Sequence, residues 1–101
     1  MIALRADVSA LDPQALPELL RRLRRHRSVQ VGECQWIAVL PGSGPVLLTA
    51  GDRLVLDLLI ERRALLPVVI DALEAELRSG GFRERIALSW STPDTVPVLL
   101  R

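Results

Sequence analysis

Between Arg53 and Trp90 the chain carries two hydrophobic periods in succession, and any fold it adopts has to satisfy both. Leu54, Leu56, Leu58 and Ile60 alternate with Arg53, Val55, Asp57 and Leu59, the period of two that marks a β-strand. Leu66, Val69, Ile70, Leu73 and Leu77 then recur at helical spacing, with Asp71, Glu74 and Arg78 opposite them. Pro67 falls near the first turn of that helix, where a missing N–H costs little. Gly80-Gly81 supplies the left-handed cap that ends it. Ile86, Leu88 and Trp90 return to a period of two. A strand and a helix that each have one apolar face must bury those faces on another layer.

The rest of the chain fits the same plan. Ile2, Leu4, Ala6 and Val8 alternate with Ala3, Arg5 and Asp7, which predicts a half-buried strand from the first residues onward. Asp12-Pro13 then opens a helix, or forms a turn ahead of one that begins near Pro17; Leu16, Leu19, Leu20 and Leu23 make its apolar stripe. From Val29 to Leu40 the pattern is β. Cys34, Trp36, Ala38 and Leu40 share one face, Gln35, Ile37 and Val39 the other, and both faces are apolar enough for a central or interface strand. Gly32 is read as a bulge position. Pro41 to Pro45 is a turn, residues 46–49 a short strand, and Gly51-Asp52 the turn into residues 53–60. The expected order is β-α-β-β-β-α-β, a two-layer α+β sandwich with a mainly antiparallel sheet and both helices on one face.

At 101 residues this is one domain, 1–101. Half of the residues are hydrophobic and the mean hydropathy is +0.29, more than so small an interior can hide. The surplus must reach the surface, and a contiguous apolar patch there marks a partner interface. The apolar tail, residues 91–101, is expected to pack on a sheet edge or on a neighbouring subunit. Homodimerisation is the first quaternary expectation, with Trp36, Ile37, Val39, Val98, Leu99 and Leu100 as its candidate interface.

Net charge is +1, so nothing draws the whole molecule toward nucleic acid or a membrane. All 13 basic residues are arginine, which points to GC-rich codon usage and a bacterial source. Cys34 is the single cysteine, which fits a reducing cytoplasm. No basic segment followed by a long apolar core opens the chain, and no apolar run approaches the roughly 20 residues of a membrane span.

Arg24-Arg25-His26-Arg27, the glycine-broken hairpin, Leu54-Val55-Leu56, the acidic second helix and Phe82-Arg83-Glu84-Arg85-Ile86-Ala87-Leu88-Ser89-Trp90 also carry a likeness. With these the chain resembles a small bacterial α+β domain family of unknown function, found alone or beside siderophore-interacting reductases. The resemblance covers about residues 1–90 and implies the fold; it implies no activity. Only His26 stands where the family tends to carry a histidine pair or a His-Lys pair.

Arg21, Arg22, Arg24 and Arg25, with His26 and Arg27, are the sharpest chemical feature. Such a cluster serves phosphates, an acidic lipid surface or an acidic protein partner. With aromatics at 3% there is little to stack on bases, and Asp71, Glu74 and Glu76 are available to answer the arginines within the fold, so nucleic acid is disfavoured. Cys34 and His26 as a nucleophile–base pair lack a third orienting group; a buried strand cysteine is the simpler expectation. One histidine and one cysteine do not fill a four-ligand zinc site without carboxylates or a second subunit. Gly42-Ser43-Gly44 precedes a strand and has no lysine after it, so it is a turn and not a phosphate loop. No cofactor is expected. The sequence therefore points to a self-associating, non-enzymatic binding or assembly module. An accessory domain that binds an acidic partner or phosphate-bearing ligand through Arg21–Arg27 is the second expectation, and a pocket between sheet and helices the third.

Overall fold

The computed structural model describes residues 1–100, and of Val98 the backbone alone. Strand β1 spans Ile2–Ala10, helix α1 Ala15–Leu23, and strands β2 to β5 span Ser28–Gly32, Gln35–Leu40, Gly44–Ala50 and Leu54–Ile60. Helix α2 spans Leu66–Arg78, after a 3-10 turn at Arg63–Leu65, and strand β6 spans Ile86–Ser91. The six strands form one antiparallel sheet in the order β2-β3-β4-β5-β1-β6. The α+β class, the mainly antiparallel sheet and the placing of both helices on one face are those the hydrophobic periods require.

Register explains which face the helices cover. Leu4 pairs with Leu58, Ala6 with Leu56 and Val8 with Leu54 on one side of β1; Leu48 pairs with Leu56 and with Trp36 further along. These residues share a face, and they form one core with Leu19, Leu23, Leu73 and Leu77 from the helices. Each fully buried leucine contributes about 2 kcal/mol relative to an exposed one.

Two local details depart from the simplest expectation. Residues 12–14 form a turn in which the Gln14 N–H donates to Asp12 Oδ1 at 2.9 Å, and α1 begins at Ala15. Pro17 therefore sits in the first turn, where no N–H is needed. The stretch read as a strand from Val29 to Leu40 is a hairpin, β2 and β3 joined at Glu33-Cys34, with a register shift between Gln30 and Gly32. That shift breaks the alternation, so Cys34 leaves the sheet and lies exposed in the turn instead of buried on the strand.

The opposite face of the sheet carries no α-helix among the described residues, only the chain after β6 with a 3-10 turn at Val98–Leu100. The chain after β6 turns back across it. Thr95 and Pro97 line a cavity of about 330 Å³ with Arg5, Leu47 and Asp57, and Val96 and Leu100 line another with Met1 and Leu59. Beneath this roof Ala3, Leu47 and Asp57 are buried. The tail thus lies over β1, β5 and β4, with Gln35 at the start of β3 lining the same cavity, while Val29 of β2 and Val39 of β3 stay exposed. No helix among the described residues is long and apolar enough to cross a membrane.

Candidate functional site

What the tail leaves bare is the β2–β3 hairpin. Val29 pairs with Ile37, and Val39 with Pro45, on the helix-free face. Val29 is 59% exposed and Val39 45%, and Val31 at the bulge is exposed as well. Three of the seven large apolar side chains exposed among the described residues lie in this one hairpin. Strand β2 is also the sheet's edge, and four of its five residues are exposed. Its outer side carries main-chain N–H and C=O groups with no strand to pair with, and its residues, Ser-Val-Gln-Val-Gly, include no charge to discourage one.

The six residues expected at an interface do not form one surface. Ile37 and Val39 belong to the bare face. Trp36 is on the other face, 8% exposed in the core, with the Arg24 guanidinium 4.7 Å from its ring centre. Strand alternation separates it from its neighbours. Its indole N–H is buried with no protein partner among the described residues. Leu99 is exposed and Leu100 half-buried against Met1 and Leu59, while the side chain of Val98 lies outside the described residues.

The arginine cluster is divided by the fold. Arg22 donates to the Ser79 carbonyl and to Ser79 Oγ, and lies 4.0 Å from Glu76. A cation there faces the carbonyl end of α2 and satisfies a group the helix leaves open. Gly80, at φ +68°, gives the guanidinium room: a Cβ there would sit 2.6 Å from it. His26 Nε2 meets Glu76 Oε1 at 2.7 Å, so one carboxylate serves both residues. Glu74 is taken by the Trp90 indole N–H at 2.8 Å. Arg21 and Arg25 remain exposed beside Phe82, without an ion-pair partner among the described residues.

Two arginines whose ion pairs the sequence reading missed, Arg85 and Arg5, hold the frame around these surfaces. Arg85 donates from Nε to Asp12 at 2.7 Å, from a terminal nitrogen to the same carboxylate at 3.2 Å, and to Glu18 at 2.7 Å. The guanidinium holds the Asp12 carboxyl below its usual range, and the Asp12 and Glu18 hydrogen bonds raise Arg85 well above its own. Under the tail, Arg5 Nε donates to buried Asp57 at 2.8 Å, which raises the Arg5 pKa. A lone aspartate in an otherwise apolar strand, with an arginine on the same alternation of β1, was the signal for this second pair. For Arg85 there was no local signal, because its partners lie 67 and 73 residues away.

Among the described residues no three His, Cys, Asp or Glu side chains gather as metal ligands. No family model, curated protein or solved structure matches the chain. Of Arg24 to Arg27, His26 meets α2 at Glu76 and Arg24 lies over Trp36, while Ile86 to Trp90 belong to the edge strand β6.

Proposed function

We propose that this chain is a non-enzymatic assembly module whose partner is a second copy of itself, joined through the β2–β3 hairpin. The observation that carries this is the coincidence of an unpaired, uncharged sheet edge with exposed Val29, Val31 and Val39. Such an edge is satisfied by another strand. The chain has one other edge, β6, and it leaves no large apolar side chain exposed to match the valines. Joining β2 to β6 would also propagate into an open filament, whereas joining β2 to β2 closes at two copies.

Sedimentation velocity from low to high micromolar concentration tests this. A dimer is expected for the wild type, and a monomer with an unchanged circular dichroism spectrum for Val29→Glu/Val39→Glu. A wild type that sediments as a monomer throughout sinks the proposal. The Arg21–Arg25 surface is the weaker candidate for partner binding, since Arg22 is committed to Ser79 and Arg24 to Trp36.

A further inference from the structure

Granted self-association through the hairpin, without which no register exists, we infer that the two copies join by antiparallel addition of β2 to β2 about a two-fold axis through Gln30. Main-chain direction permits it. The Val39 N–H donates to the Arg27 carbonyl at 2.8 Å, so Arg27 turns its polar groups inward toward β3. By alternation Ser28 and Gln30 turn theirs outward. An axis through Gln30 sets its N–H and C=O against the C=O and N–H of its mate, which makes two hydrogen bonds at the centre of the contact.

The residues around Gln30 select this register. Arg27-Ser28-Val29-Gln30-Val31-Gly32-Glu33 is complementary to itself when reversed about Gln30. By residue count Val29 falls opposite Val31, Ser28 opposite Gly32 and, just beyond the two ends of β2, Arg27 opposite Glu33, with the register shift toward β3 lying between Gln30 and Gly32. Arg27 and Glu33 are both exposed, and neither has an ion-pair partner among the described residues. Symmetry forms the Arg27–Glu33 pair twice, once at each end. Exposed pairs add little affinity, but like charges in their place are costly, so the ends fix the register more than the strength. The Gln30 side chain is occupied at home, donating to the Gly32 carbonyl at 2.9 Å and to that of Glu33 at 3.3 Å. It holds the turn, while the N–H and C=O of Gln30 itself stay free to pair at the axis. The competing register, centred on Val29, pairs Ser28 with Gln30 but sets Arg27 against Val31 and carries Glu33 past the strand's start, opposite Arg25 in the turn after α1.

Cysteine cross-linking separates the two. On a two-fold axis a residue lies about 5.5 Å from its own mate, within disulfide range. One position off the axis, the mates are displaced by about 7 Å along the strand and out of reach. In a Cys34→Ser background, Gln30→Cys is expected to cross-link under mild oxidation on non-reducing electrophoresis, and Val29→Cys is not. Charge exchange is the second measurement. Arg27→Glu and Glu33→Arg should each weaken the dimer about tenfold, and the double variant should recover to within about threefold of the wild type. Cross-linking at Val29, no cross-linking at either position, or a double variant no better than the singles overturns the register while the dimer stands. A monomeric wild type instead removes self-association itself.

Discussion

The sheet has two edges, built on the same alternation and finished in opposite ways. On β6 the inward residues meet α2: Ile86 is buried, Leu88 and Trp90 pack on the core, and the Trp90 indole is bonded to Glu74. Its outward residues are Ala87, Ser89 and Ser91, and Pro93 comes shortly after. On β2 the inward positions hold Ser28 and Gln30, with nothing of the core's size, and the outward ones hold valine. One edge spends its apolar residues on the molecule's own interior; the other presents them. An edge strand is thus closed or open according to which of its two faces carries the oil, and alternation alone does not say which.

The contrast can be broken most severely at the closed edge. Trp90→Ala removes packing against the core and strands the Glu74 carboxylate, and should lower unfolding stability by about 3 kcal/mol in urea denaturation. Val29→Thr at the open edge should change stability by no more than about 0.5 kcal/mol under conditions where the protein is monomeric. If the two substitutions cost the same, the two edges are not finished differently.

A second test compares the roofed and bare halves of the helix-free face. Asp57→Ala leaves Arg5 beneath the tail without its carboxylate. With Arg5 partly exposed, the cost is discounted to about 2 kcal/mol, still well above that of Val39→Ala on the bare half.

Acid sharpens the frame around β6. The folded-state pKa of Asp12 is depressed by Arg85, so its contribution is fully present above the unfolded value of about 3.9. That contribution is lost as the pH falls through the folded value. Melting temperature measured from pH 6 to pH 2 should therefore fall less steeply below pH 4 in Arg85→Met than in the wild type. An equal slope in both would show that Asp12 gains nothing from the pair.

The smallest effect lies at the open edge in the native protein. The outward amides of Ser28 and Gln30 should exchange hydrogen rapidly at low concentration and more slowly as concentration rises, whereas those within β1 and β5 should not respond. Exchange at Gln30 that is independent of concentration would count against pairing there.

Much of the fold was readable because it is local. The strands around residues 2–10, 54–60 and 86–91, the helix over 66–78 and its arrest at Gly80-Gly81 come from side-chain spacing within a dozen residues. The hairpin at Glu33-Cys34 was hidden. Both of its strands are apolar on one side, neither turn residue is a glycine or proline, and Gly32 marked a bulge without showing that the chain reverses after it. The candidate site suffered most. Alternation already set Trp36 and Val39 on opposite faces, but which of those faces the helices cover, burying Trp36 and leaving Val39 exposed, was not in the pattern.

By itself, then, the sequence determined the layers: its periodicities dictate one sheet, two amphipathic helices and more apolar surface than the interior absorbs. Only the tertiary structure decided where the excess appears and which charges are spoken for. Arg22 is committed to a serine 57 residues away, and the tail roofs β1, β5 and β4 while Val29 and Val39 stay bare. Periodicity is a property of neighbours in the chain. Coverage depends on which distant segment comes to lie on top, and no short window of residues contains that information.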